Sequence, residues 1–217
     1  RAAVSGDFNF YGGYQSGLSN TADGNVFVGY LSGSTSTTAN NSVAIGKQAL
    51  NGGVMTGDFN IGIGRTVGGA ITSGTQNICM GVDSLAALTT GSYNVALGSS
   101  ALRTGAVSAN GNVAIGYQSM RNTSSSHNVA VGYQAGYNNA AGTIVAVGNN
   151  ALYANTSGTD NTAVGNGALI ANNTGYENVS VGGASGDAIT DGIRNTVMGY
   201  AALTTDTRGT NTVAIGY

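Results

Sequence analysis

One histidine, His127, and one cysteine, Cys79, are the residues of this 217-residue chain with the most reactive side chains. Nucleophilic catalysis needs a nucleophile, a base beside it and a third group that orients the base. His127 ends the polar run Ser124-Ser125-Ser126-His127, and the spacing sets no partner beside it, so a solvent-exposed turn residue is expected. Cys79 lies between Ile78 and Met80, at a position that comparable segments fill with alanine. That is the setting of an inert, buried thiol. Two such residues make no zinc site, which takes three or four ligands.

The nine carboxylates are spread along the chain, so paired-acid glycoside hydrolysis would require the fold to bring two together by coincidence. Calcium-binding β-rolls supply a carboxylate at a fixed place in every repeat. Asp23, Asp58, Asp160, Asp187 and Asp191 are expected to share no such place. Glycine-containing stretches such as Gly62-Ile63-Gly64 lack the lysine and helix of a phosphate cradle. No catalytic residue, metal or cofactor is expected, and the chain is read as a non-enzyme.

Tyrosine is the remaining class with recognition chemistry. Tyr93, Tyr137, Tyr153 and Tyr176 fall in or near polar turn sequences. Their rings could stack on sugars or dock a surface receptor, which makes them the candidate surface-binding residues.

The elements that hold these residues follow from a repeat. Asn112-Val113-Ala114-Ile115-Gly116-Tyr117-Gln118-Ser119 returns as Asn128-Val129-Ala130-Val131-Gly132-Tyr133-Gln134-Ala135. Aligned on that glycine, the chain has anchors at Gly13, Gly29, Gly46, Gly64, Gly81, Gly98, Gly116, Gly132, Gly148, Gly165, Gly182, Gly199 and Gly216, spaced 16 to 18 residues apart. Before each anchor runs a large-small-large triplet such as Val43-Ala44-Ile45, the period of a strand with two unlike faces. Val and Ile suit a buried pleated surface, so Val131 and its equivalents are expected in the core and the alanines on the outside. Four residues before the anchor stands Asn in ten of thirteen units, from Asn9 to Asn195, placed to form a stacked amide ladder.

The anchor glycine marks a corner that needs positive φ or close backbone approach. Three and four residues after it come a small residue and then Leu, Met or Gly, read as a second short strand. Polar turns of varying length close the unit. The fold class is all-β, a parallel β-solenoid of about 13 coils, with residues 1–217 as a single repeat domain and a segment of a longer fibre. A small-residue outer face suits contact with another chain, so a homo-oligomer is expected.

Charge excludes other partners. Seven Lys+Arg stand against nine Asp+Glu, and charged residues make up 7% of the chain, where about 25% is usual. No basic stripe exists for nucleic acid, and no apolar run approaches the ~20 residues of a spanning helix, so no membrane insertion by this segment is expected.

The string Asn41-Ser42-Val43-Ala44-Ile45-Gly46 and its relatives resemble the head repeat of trimeric autotransporter adhesins, with similar repeats in bacteriophage tail fibres. The resemblance covers essentially the whole chain. It implies a left-handed roll, a homotrimer, an extracellular place on a cell or virion surface, and attachment to a host-surface receptor or glycan. Two departures stand beside it: the coil here is a few residues longer, and Tyr follows the anchor at Tyr14, Tyr30, Tyr117, Tyr133, Tyr200 and Tyr217. The alternative is a single-chain solenoid that binds ice or carbohydrate. Ice binding would need threonines in fixed columns, and these are expected to be scattered through turns.

Overall fold

The computed structural model describes residues 6–104 and 107–217. It is an all-β parallel solenoid, and it divides into two compact units, Arg1–Asn112 and Val113–Tyr217. The first holds β1 (Phe10–Gly12), β2 (Val26–Val28), β3 (Val43–Ile45), β4 (Ile61–Ile63), β5 (Ile78–Met80) and β6 (Val95–Leu97). The second holds β7 (Val113–Ile115), β8 (Val129–Val131), β9 (Ile144–Val147), β10 (Asn161–Val164), β11 (Val179–Val181), β12 (Thr196–Met198) and β13 (Val213–Ile215). Within each unit consecutive strands pair in parallel, one strand per coil. The register sets like on like: Val43 opposite Ile61, Ala130 opposite Ala146, Val131 opposite Val147.

The two faces of the strand are reversed from expectation. The small central residues point inward: Ala44, Cys79, Ala96, Ala114, Ala130, Ala146 and Ala163 are all 0% exposed. The large residues on either side point outward. Ile45, Ile78, Met80, Ile115, Val145, Val164, Val179 and Met198 keep between 36 and 47% of their surface in water. The cause is space. The interior of a coil is one side chain thick, and a large residue from the far wall already fills it. Leu50, Leu85, Leu102, Met120, Leu152 and Leu169, each four after an anchor, are 0–1% exposed and are that filling. A β-carbon added at Gly62, the central residue of β4, would lie 2.8 Å from Leu50 Cγ.

Where the fourth residue after the anchor is glycine, the large side chain enters from elsewhere. A β-carbon on Gly33 would lie 2.6 Å from the Phe27 ring, and one on Gly17 would lie 2.7 Å from the Tyr11 ring. Ile71 fills the space beside Gly68, Ile144 that beside Gly136, and Ile189 that beside Gly186. Core volume is thus conserved coil by coil while its source moves, as close packing demands.

The segment after the anchor is not a second strand. Residues two and four after the anchor take positive φ, for example Gln48 at 56° and Leu50 at 49°, Gln118 at 54° and Met120 at 46°. The left-handed residues turn the chain so that the leucine reaches inward. Its amide still bonds to the next coil, as Leu50 N–H does to Val67 O at 2.9 Å and Leu152 N–H to Ala168 O at 3.0 Å. Serines at the third position can donate to the central carbonyl of the next strand, as Ser32 does to Ala44 O at 2.7 Å and Ser84 to Ala96 O at 2.9 Å.

The anchor glycines meet both demands placed on them. Gly132 has φ 141°, and a β-carbon there would lie 2.3 Å from Gly148 O. The asparagine ladder also forms. In the first unit Asn77 Nδ2 donates to Asn60 Oδ1 at 3.0 Å, Asn94 to Asn77 at 3.0 Å and Asn112 to Asn94 at 3.1 Å. In the second, Asn178 donates to Asn161 at 3.1 Å and Asn195 to Asn178 at 3.0 Å. A second ladder, seven residues after the anchor, runs where Ile144 interrupts the first: Asn155 Nδ2 donates to Asn139 Oδ1 at 2.8 Å and Asn172 to Asn155 at 2.9 Å. Buried amides satisfied in this way cost little, and each fixes its coil against the next; Asn172 Oδ1, at the end of the second ladder, has no partner.

Candidate functional site

The largest uniform surface feature is the outer strand face. It carries Val, Ile, Leu and Met at nearly every position and no charged residue. Contiguous apolar patches of more than roughly a few hundred Å² are uncommon on monomers.

Beside it, immediately after the anchor, stands the tyrosine column. Tyr14 stacks on Tyr30 with centroids 5.4 Å apart, Tyr117 on Tyr133 at 5.4 Å, and Tyr200 on Tyr217 at 5.8 Å. Lys47 Nζ sits 5.8 Å from the Tyr30 centroid. Stacking spends one face of each ring on its neighbour and leaves the outer face of each doublet free of a tyrosine partner.

Of the four sequence candidates, the fold brings two together. Tyr137 and Tyr153 stack at 5.0 Å, both half-buried, with Arg121 Nη1 donating to the Tyr137 hydroxyl at 3.0 Å. Tyr93 stands apart in the first unit, 63% exposed at φ 63°. Tyr176 is half-buried on another column of the second unit, where its carbonyl accepts from Arg194 N–H at 3.1 Å.

His127 is exposed at φ 62°, beside a shallow hollow of about 300 Å³ that also touches Thr143 and Asp160. Asp160 accepts from Thr159 Oγ1 at 3.1 Å. Among the described residues no three of His, Cys, Asp or Glu gather as a metal site. Cys79 is fully buried, its thiol within 3.3 Å of Ile61 O, and burial pushes its pKa up to about 12. The thiolate is the reactive form. Ellman's reagent at pH 8 is therefore expected to leave Cys79 unmodified in the folded chain and to label it fully in denaturant. Rapid labelling of the native chain would contradict the buried position.

Two columns run against the sequence expectation. Asp7, Asp23, Asn40 and Asp58 do share one place, six residues before the anchor. There Asp23 Oδ1 accepts from Asp7 N–H at 2.7 Å, and Asp58 Oδ1 from Asn40 N–H at 2.7 Å. These carboxylates cap the backbone of the preceding coil. Threonines also align, the donors each eight residues after an anchor: Thr21 Oγ1 donates to Thr37 O at 3.0 Å, Thr72 to Thr89 O at 3.1 Å, Thr89 to Val107 O at 2.9 Å and Thr190 to Thr207 O at 3.1 Å. The column is one residue wide, and its hydroxyl protons are spent on the backbone.

No helix among the described residues is long and apolar enough to cross a membrane. No protein-family model, no curated protein and no solved structure matches the chain.

Proposed function

We propose that this chain is a non-catalytic segment of an extracellular attachment fibre on a cell or virion surface, assembled from three copies of itself through the outer strand faces. The outward apolar face carries this reading. Each unit carries such a face, and the face has no charge to oppose association. A second copy of this chain is the occupant that fits best, because the face repeats every coil and a matching copy repeats at the same spacing, ~4.8 Å. The expected oligomer is the same; the surface that forms it is the Val/Ile face rather than the alanine face. The number three rests on the resemblance of the Asn-x-Val-Ala-Ile-Gly repeat to adhesin heads. The columns left outside the interface would then face a receptor.

Light scattering on the purified chain tests this. The expected mass is three times 21.4 kDa. A different multiple would keep the covered face and discard the trimer. A stable monomer would overturn the reading and favour a single-chain solenoid, with the threonine column as its most regular surface.

A further inference from the structure

In the second unit the tyrosine column is interrupted. After Tyr117 and Tyr133 its members are Asn149, Asn166 and Gly183, and it resumes with Tyr200 and Tyr217. Tyr200 spends one ring face on Tyr217, so the other is turned back toward Gly183, where a β-carbon would lie 3.3 Å from Tyr200 Cδ2. The missing side chain leaves a notch of about 320 Å³, floored by glycine and walled by Ile170 and Asp187, with the exposed Asn166 at its mouth. Asp187 lines the notch; its Oδ1 is buried and has no hydrogen-bond partner, which leaves its second carboxylate oxygen as the one a ligand can meet. A buried acceptor left bare calls for an explanation, because each one costs stability.

We infer that this notch binds one pyranose ring of a glycan, with Tyr200 against its C–H face and Asp187 accepting from its hydroxyls. The notch is at the small end of ligand pockets, which span about 300–1,000 Å³. Its lining is mixed in the way a sugar requires: an aromatic face, an apolar wall, a carboxylate that only accepts, and an amide that both donates and accepts. An ammonium ion would satisfy Asp187 and Tyr200 but would leave the donors of Asn166 and the wall of Ile170 without a match. The site deepens the attachment reading above, since it supplies that reading with a receptor chemistry.

Saturation-transfer NMR on the full chain tests it, using the methyl glycosides of glucose, galactose, mannose, fucose and N-acetylglucosamine as probes. At least one is expected to receive saturation. Two variants should weaken that binding by about tenfold or more, as removing a stacking face or a hydrogen bond to a carboxylate does. Gly183→Tyr fills the notch by continuing the column as Tyr117 and Tyr133 do. Asp187→Leu removes the acceptor, and its melting temperature should hold or rise because a bare buried oxygen is gone, a pattern that a purely structural Asp187 would not give. No transfer to any glycoside, or equal transfer to both variants, overturns the inference, as does binding of tetramethylammonium in place of the sugars. The scattering mass separates this site from the fibre reading: a trimer that takes up no sugar removes the notch alone, and a monomer that takes up sugar through it removes the trimer alone.

Discussion

Ala130→Asp is expected to unfold the coils around β8, whereas Val131→Asp, one residue along, leaves the separated chain folded and abolishes its association. Ala130 is 0% exposed, stacked between Ala114 and Ala146, with its carbonyl taking the Ser119 hydroxyl at 3.0 Å. A carboxylate there has no water and no partner, and an unpaired buried charge costs about 3–5 kcal/mol or forces the group to take up a proton. Val131 points the other way and is partly exposed. Aspartate in its place stays hydrated, so the cost to one chain is within about 1 kcal/mol, the usual range for a surface substitution. In the oligomer the same carboxylate would be buried against another copy. Circular-dichroism melts and scattering masses of the two variants read both effects. If Val131→Asp unfolds the chain and Ala130→Asp does not, the inner and outer faces have been assigned the wrong way round.

Gly132→Ala is expected to be as damaging, although it adds a single methyl group. The residue takes φ 141°, outside the range that L side chains adopt, and the new β-carbon would lie 2.3 Å from Gly148 O and 2.6 Å from its carbonyl carbon. Backbone strain of about 1–3 kcal/mol adds to a collision that neither coil can relieve without breaking its ladder. Gly167→Ala is the control. It has φ 67°, but a β-carbon there meets nothing within 4 Å, so its cost should stay near the ~1–2 kcal/mol of a left-handed residue alone. Denaturant titration of the two variants should therefore differ by several-fold in lost stability. Equal losses would mean that conformation, not coil contact, selects glycine at the anchor.

The sequence carries the coil length, the corner glycines and the asparagine ladder plainly, because each depends on one residue recurring at one place. Which strand face lies inside is harder to read. The Val43-Ala44-Ile45 triplet is apolar on both sides, so period two separates the faces without orienting them. The answer sits in Leu50, which fills the interior only because Gln48 and Leu50 take positive φ. Left-handed glutamine and leucine are rare enough that the same segment reads as a strand.

The aspartate and threonine columns stayed hidden for a different reason. Each sits at a constant distance from its anchor, six residues before for Asp23 and Asp58 and eight after for Thr21, Thr37 and Thr72, but neither residue type fills its place in every coil, so the column shows only when all units are aligned on the anchor. Ile144 occupies an asparagine position of the first ladder. The relay through Asn139, Asn155 and Asn172 closes the gap from seven residues after the anchor, where asparagine recurs in only a few coils. Of the four candidate tyrosines, Tyr137 and Tyr153 come together because they are one coil apart. The notch at Gly183 left no motif at all, since its signal is a side chain that is missing from a column.

The shifting source of core volume has a further consequence, for how the chain finds its own register. Near-identical coils invite a slip by one whole repeat, since every backbone ladder would close equally well after it. Side chains forbid the slip. A strand moved by one coil would set Phe27 in the cross-section that Leu50 already fills, while the space beside Gly33 would stand empty. Such overpacking and voids each cost about 1–3 kcal/mol or more. The irregular placement of Tyr11, Phe27, Ile71, Ile144 and Ile189 therefore acts as an address, telling each coil which neighbour is its own in a chain whose backbone alone could not tell.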